Sequence, residues 1–437
     1  MSDVLLLNSP LFRNGKRASF DDLLPPFGLG YIATYLKKNS FSVDLIDAVS
    51  KNLTLEEAAG LAEKQDFVGM NIFSTNLDLV RDIIGMDDSC THYILGGSAA
   101  RHLVQEIRSF NTKNKIDIVM GDGEYITPDI LRDKLKEMPV ISKGNVRAFD
   151  VSAGSQYFPN DISTLTLDRE FLSDEPGLNH YGLSEANIVT SRGCSYNCAF
   201  CGAAKSLNSN VPIRIRSRKS IKEELYQLRS HYAIECVRVL DDLFLRNGKS
   251  MESALEIFGE TDLKWRAMAH INSFKAVPED VLKRLRKNGC TEISIGIESG
   301  SERMLSLINK QYSPETAGTV LENLLDAGLS IKGYFIFGLP GETEHDLKES
   351  FNLASRIKEH SLKTSADFRV SVFQFRPYHG TILYNQLVNK RLDFKHNQHL
   401  SENIGREHFN FYTENFSICS DEVLDEYIIS TMKLNNS

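Results

Sequence analysis

What this chain lacks bounds it first. No run in its 437 residues approaches the roughly 20 consecutive apolar residues that a bilayer span requires, so no membrane segment is expected. The start, Met1-Ser-Asp-Val-Leu-Leu-Leu-Asn8, has neither a basic opening nor a long apolar stretch, and does not read as a signal peptide. Positive charge is in deficit: 50 Lys and Arg stand against 58 Asp and Glu, for a net charge of -8. That balance argues against a nucleic-acid partner, because phosphate binding rests on clustered Lys and Arg. The run Arg214-Ile-Arg216-Ser-Arg218-Lys219 is a local exception, read as a solvated face or a seat for one small anion. No Gly-x-Gly-x-x-Gly occurs, which leaves a dinucleotide site without its usual signal. Four cysteines, Cys90, Cys236, Cys290 and Cys419, are scattered singly like small buried hydrophobes, and a reducing, cytoplasmic setting is expected.

The other three are not scattered. Thr190-Ser-Arg-Gly-Cys194-Ser-Tyr-Asn-Cys198-Ala-Phe-Cys201-Gly202 follows the apolar pair Ile188-Val189 and places thiols at offsets of four and three residues. A short irregular loop with that spacing can wrap three thiolates around a cuboidal [4Fe-4S] cluster. Three ligands leave one iron open to a substrate or cosubstrate. Zinc would want four closed ligands, and no fourth Cys or His follows at finger spacing. Three incidental buried thiols would not bunch in this way.

The rest of the chain supplies a setting for that loop. With 25% charged and 41% hydrophobic residues it has the composition of a globular protein long enough for two to three domains. Residues 1–130 alternate apolar strands with amphipathic helices, beginning with Val4-Leu-Leu-Leu7 and including the N-cap signature Thr54-Leu-Glu-Glu57. The pattern predicts a five-stranded, doubly wound, Rossmann-like α/β domain, with ligands outside the carboxyl ends of its strands. Ser9, Pro10, Phe73 to Asn76, Gly96 to Ala99 and Gly121 to Glu124 fall in those loops, although each glycine could equally serve a turn. Residues 131–187 lose periodicity and read as an inter-domain connection. Residues 188–385 resume the alternation as six β/α units, a (β/α)6 partial barrel whose site belongs at the strand ends. Asp241-Asp242, Glu298-Ser-Gly-Ser and Gly338-Leu-Pro340-Gly-Glu342 all lie there. Asp241 and Asp242 could instead cap the helix that follows them. Residues 386–437 read as a small C-terminal cap, whose His396, His399 and His408 lack the spacing of a known metal site.

Cys194-x3-Cys198-x2-Cys201, with Phe200 directly before the third cysteine, resembles the signature of radical S-adenosylmethionine (SAM) enzymes. The resemblance implies that the open iron chelates the amino and carboxylate groups of SAM, and that reductive cleavage gives a 5'-deoxyadenosyl radical. Asp241-Asp242-Leu-Phe244, Glu298-Ser-Gly-Ser-Glu302, Lys310, Gly338-Leu-Pro-Gly-Glu342 and Pro377-Tyr-His-Gly-Thr381 add to it. By position it implies that Asp241 and Asp242 meet the SAM amino group, Glu298 the ribose or substrate, and Gly338 with Pro340 the adenine. Upstream, Pro25-Pro26-Phe-Gly28-Leu-Gly30-Tyr-Ile32, Leu95-Gly96-Gly97 and Gly121-Asp-Gly-Glu124 resemble the cobalamin-binding domain of the cobalamin-dependent class. This makes Ser9, Pro10, Ser74, Thr75, Gly96, Gly97, Gly121 and Glu124 candidate cobalamin contacts. No Asp-x-His-x-x-Gly occurs, so no His from that motif lies beneath cobalt.

Taken together, the resemblance spans residues 3–384 and implies a radical enzyme acting on a small molecule, fed electrons by a flavodoxin or ferredoxin. Methyl transfer to an unactivated carbon, or a cobalamin-assisted rearrangement, is the leading expectation. Two alternatives stand beside it. One is a radical SAM enzyme without functional cobalamin, performing cyclisation, oxidation or aminocarboxypropyl transfer; the other is a cluster-based cobalamin or redox sensor. A methylthiotransferase would need a second cysteine set near the N-terminus, where only Cys90 occurs, and a basic RNA-binding module at the C-terminus.

Overall fold

Val4, Leu5, Leu6 and Leu7 are all buried, and alternate side chains of a strand leave on opposite faces. Val4 and Leu6 accordingly enter one apolar cluster with Leu29, Ala33 and Leu36, while Leu5 and Leu7 enter another with Ala58, Ile83 and Ile84. A strand covered on both sides belongs in the middle of a parallel sheet, and the computed structural model places it there. The model describes residues 2–10, 24–135, 140–152, 154–173, 175–390 and 414–436. These fall into two compact units, Met1–Glu175 with Phe200–Pro212 and Pro377–His408, and Pro176–Ala199 with Ile213–Arg376 and Phe409–Ser437. The histidines expected in the terminal cap, His396, His399 and His408, lie outside the described residues.

The first unit runs β1 (Val4–Asn8), α1 (Phe27–Lys38), β2 (Val43–Asp47), α2 (Leu55–Ala62), β3 (Phe67–Asn71), α3 (Leu77–Met86), β4 (His92–Gly96), α4 (Val104–Arg108), β5 (Lys115–Gly121), α5 (Thr127–Leu131), β6 (Ile141–Lys143) and β7 (Val146–Val151). Its sheet has the order β2-β1-β3-β4-β5-β7-β6. All neighbours are parallel except β6, which pairs antiparallel with β7. The five expected strands are therefore extended by two from the stretch read as a connection. Charges hid them: Arg147 of β7 makes a two-pronged contact to Asp117 of β5, at 2.7 and 2.6 Å, and its neighbour Asp150 takes two hydrogen bonds from Arg101. Helix α2 opens on the reciprocal Thr54–Glu57 capping box that its sequence announces.

In the second unit the order is β8 (Gly177–Leu178), β9 (Ser184–Ile188), β10 (Ser191–Arg192), β11 (Arg214–Ile215), α6 (Arg218–Tyr232), β12 (Cys236–Val239), α7 (Gly248–Phe258), β13 (Lys264–Ala269), α8 (Ile271–Phe274), α9 (Glu279–Lys287), β14 (Cys290–Glu298), α10 (Glu302–Leu307), α11 (Pro314–Asp326), β15 (Ser330–Phe337), α12 (Glu344–Ser361) and β16 (Phe368–Gln374). Helix α13 (Ile382–Lys390) belongs to the first unit, and α14 (Asp421–Lys433) closes the second. The main sheet runs β16-β15-β14-β13-β12-β9-β8, six parallel strands with the short antiparallel β8 at one edge. This is the curled half-barrel that six β/α units predict. At the other edge, the side-chain amide of Asn435 donates to the Val370 carbonyl and accepts from the Val370 N–H, standing in for a neighbouring strand. No helix of the described residues is long and apolar enough to cross a membrane.

Candidate functional site

The cysteine loop leaves β9 and is clamped at its root by one carboxylate. Asp241, just past the end of β12 and 2% exposed, accepts from Thr190 N, Thr190 Oγ1 and Ser191 Oγ, each at 2.6 Å. Burial pushes its carboxyl upward in pKa, and the donors offset only part of that. Arg246 reinforces the clamp with a 3.0 Å hydrogen bond to Ser191 Oγ. The adjacent Asp242 is solvent-exposed, and its carboxylate accepts from Gly193 N at 3.2 Å, immediately before the first cysteine.

On its far side the loop docks on the turn after α10. Ala199 N donates to Ile308 O at 2.9 Å, and Asn309 Nδ2 to Asn197 O at 2.7 Å. Between these anchors Tyr196 stacks on His270, with ring centroids 3.8 Å apart. His270 directly follows β13 and accepts at Nδ1 from Asn272 N, so its proton belongs on Nε2, which has no hydrogen-bond partner in the described residues. Burial, aided by Lys310, pushes its pKa down to about 3, and the ring is neutral. Its place just past a strand end is the one sequence signal that points to this residue.

Cys194, Cys198 and Cys201 are all partly exposed, and none of the seven cysteines forms a disulfide. Burial raises the pKa of Cys194 and Cys198, and the Lys310 ammonium draws Cys198 back toward the thiolate. Among the described residues no three His, Cys, Asp or Glu side chains converge as ligands of a single metal ion. A cuboidal cluster asks for something different, since each thiolate takes its own iron. Three reduced thiols on one short, doubly anchored loop suit that donor set.

Glu298 ends β14 at a register shift and holds φ +66°, a left-handed conformation that a residue with a long side chain rarely adopts. Its carboxylate meets Lys310 Nζ at 3.1 Å, both groups nearly enclosed. Burial works against the Lys310 charge, but Glu298 more than compensates and the ammonium is held above its ordinary pKa. Tyr312 donates to the carbonyls of Gly296 and Ile297, both at 3.0 Å. Gly338, past the end of β15, has φ +80° and donates its N–H to Glu342 at 2.6 Å, with Leu339 N at 3.1 Å on the same oxygen. Pro340 lies within the turn that these bonds close. Of the five residues assigned to SAM, Asp241, Glu298 and Gly338 are thus engaged in holding the strand ends, and Asp242 is the exposed carboxylate beside the cysteines.

In the first unit the expected loops gather at the carboxyl ends of β1, β3, β4 and β5. Asn76 Nδ2 donates to Ser9 Oγ at 2.9 Å, and Asn8 bonds to both Asp47 and Asn71, so the strand ends carry a continuous polar network. Pro10 and Thr75 flank it in sequence. Ser74 Oγ accepts from the His379 backbone N–H at 3.0 Å, and the imidazole of that residue meets the same hydroxyl through Nδ1 at 3.0 Å. The Pro377-Tyr-His-Gly-Thr381 motif therefore belongs to this unit. Gly97 and Gly121 have positive φ, and a Cβ on either would strike the backbone of Ile72 or Val151. Their requirement for glycine comes from sheet packing. Gly96 ends β4 without such a clash, and Glu124 is buried in the loop after β5.

Comparison with known proteins agrees with both units. Residues 188–354 match the Radical SAM superfamily model, and residues 15–131 match the B12 binding domain model. "Uncharacterized methyltransferase PH0819" from Pyrococcus horikoshii is 26% identical over 388 residues, covering 84% of this chain and 79% of that protein. The cytidylyl-2-hydroxyethylphosphonate methyltransferase of Streptomyces wedmorensis is 23% identical over 460 residues, covering 89% and 82%. Among solved structures, the radical SAM methyltransferase TsrM from Kitasatospora setae, with cobalamin and a [4Fe-4S] cluster bound, superposes with a TM-score of 0.63 at 14% identity, covering 89% of this chain and 75% of that one. The cofactor set that goes with the two matched domains is a [4Fe-4S] cluster, SAM and cobalamin. The chain belongs to the cobalamin-binding radical SAM enzyme family.

Proposed function

We propose that this enzyme cleaves SAM reductively at a [4Fe-4S] cluster held by Cys194, Cys198 and Cys201, and transfers a methyl group to an unactivated carbon of a small metabolite or natural-product intermediate. The observation that carries the reading is the cysteine loop, clamped by Asp241 at its root and by Ile308 and Asn309 beyond, in a chain that also holds a B12-binding domain. The names of the Pyrococcus and Streptomyces relatives, both methyltransferases, favour methyl transfer over rearrangement. Cobalamin, when bound, supplies the methyl-carrying chemistry.

The chain's own residues position and shield. Asp242, the carboxylate beside the cysteines, would accept from the SAM amino group, while Asp241, Glu298, Gly338 and Pro340 would fix the strand ends around it. In the first unit Ser9, Pro10, Ser74, Thr75, Gly96 and Glu124 would line the seat of cobalamin, and Gly97 and Gly121 would set the shape of its loops. A flavodoxin- or ferredoxin-like donor in a reducing cytoplasm would supply the electron.

The test is anaerobic reconstitution of the full chain with iron, sulfide and hydroxocobalamin, followed by desalting and incubation with SAM and a reductant. Retained cobalamin absorption with release of 5'-deoxyadenosine is the expected result, and Cys198→Ala is expected to release none. SAM cleavage without cobalamin retention would move the enzyme to the cobalamin-free class. No SAM fragment under any condition would sink the proposal.

A further inference from the structure

Resting on that reading, we infer that the enzyme's substrate is an oxyanion, a carboxylate or phosphate, whose charge is received inside the half-barrel by Arg238 and Lys332, with Tyr334 beside the lysine.

The strands of the second unit show which of their faces is open. Along β15, Ile331, Phe335 and Phe337 are buried, whereas Lys332, Tyr334 and Ile336 between them are only partly covered. Along β16, Phe368, Val370 and Val372 are buried, whereas Arg369, Ser371 and Phe373 are partly open. The parallel register aligns Lys332 with Arg369 and with Ser294, and Tyr334 with Ser371 and Gly296, so the partly open positions share one face. Further along the same face, Arg238 of β12 is level with Arg266 of β13, which is level with Glu292 of β14.

Lys264 sits on this face at the exposed start of β13, and of six further charged side chains four cancel. Glu185 binds Arg266 at 2.7 Å; Glu292 binds Arg266 at 3.2 Å and Arg369 at 2.8 Å. Two carboxylates and two guanidiniums form a neutral, enclosed lattice, with His180 Nε2 3.4 Å from Glu292. Arg238 and Lys332 remain. Among the described residues neither has a carboxylate within ion-pair distance, and Lys332 is instead held over the Tyr334 ring at 5.4 Å. The Arg238 guanidinium feels burial and the Arg266 charge, both of which lower its pKa, against weaker support from Tyr334, Glu185 and Glu292. The register puts Arg238 and Tyr334 on the same face of the sheet, three strands apart in its order.

Two cations in a partly dry space, without counter-charges, make a receiver for a negatively charged group. SAM is not that group on positional grounds. Arg238 stands three residues before Asp241, and Lys332 six before Gly338, roughly 10 and 20 Å down their strands at about 3.3 Å per residue. The anion of a second molecule, lying deeper than SAM, would orient its reacting carbon toward the strand ends.

The experiment uses the full, reconstituted protein and titration calorimetry with three probes: inorganic phosphate, succinate, and 1,4-butanediol as the uncharged counterpart of succinate. Wild type is expected to bind phosphate or succinate but not the diol, and whichever anion binds more tightly identifies the oxyanion. Arg238→Gln and Lys332→Gln should each weaken that binding by about tenfold or more, with Arg238→Lys recovering part of the loss and thereby separating charge from misfolding. SAM affinity, measured on the same samples, should change less than about twofold. The inference is overturned if wild type binds neither anion, if both Gln variants bind as wild type does, or if SAM affinity falls in step with anion affinity. Cobalamin retention and 5'-deoxyadenosine release are read separately. Their failure with anion binding intact would remove the functional reading and leave the oxyanion site.

Discussion

At the scale of single residues, Glu342 is a carboxyl at odds with neutral pH. It is fully buried, one oxygen accepts the Gly338 and Leu339 amides, and the other has no hydrogen-bond partner among the described residues. Burial raises its pKa from 4.5 to about 8. The sign follows from linkage: a carboxyl that ionises later in the folded chain than in the unfolded one favours folding below the unfolded value, and that contribution is lost as pH rises from about 4.5 to about 8. The loss is on the order of a few kcal/mol. Glu342→Gln keeps an acceptor for both amides and has no charge to bury. Its melting temperature is expected to match or trail wild type near pH 5 and to exceed it at pH 8.5, as scanning calorimetry across that range would show. A variant no more stable than wild type at pH 8.5 would contradict the assignment.

At the scale of elements, the clamp on the cysteine loop is the part whose removal tells most. Asp241→Ala strips acceptors from Thr190 N, Thr190 Oγ1 and Ser191 Oγ at once, leaving buried donors unmet. A cost of about 2–4 kcal/mol in denaturant unfolding is expected, together with fewer irons bound per chain after reconstitution. Asp241→Asn, which keeps one acceptor, should fall between the two. Full iron loading in Asp241→Ala would show that the loop does not need its root fixed.

Elements also show what could be read in advance. Thr54–Glu57 was legible because a capping box spans four consecutive residues, and β1 because an unbroken apolar run has few other uses. The carboxylates at the ends of β12 and β14 were legible as strand-end groups, but their employment was not. Asp241 meets Thr190 across 51 positions of sequence, and Glu298 meets Lys310 from the far side of α10. Only the folded chain shows that such side chains are occupied. Strand β7 was obscured for a related reason, since Arg147 and Asp150 look like loop residues until Asp117 and Arg101 arrive to neutralise them.

At the scale of the whole molecule, two sheets of seven strands each carry a chain that must survive handling in a half-assembled, cofactor-free state. A sheet that never closes on itself keeps two edges, and an exposed edge is a template for another chain. In the second unit one edge is β8, only two residues long. The other is β16, seven residues of alternating apolar and polar side chains, where Asn435 occupies both backbone groups of Val370. Asn435→Ala would leave that donor and acceptor pair exposed. Sedimentation at increasing concentration should then reveal self-association that wild type does not show, with activity per monomer unchanged in dilute solution. One amide side chain would thus decide whether this enzyme stays dispersed while it waits for its iron or begins to stack.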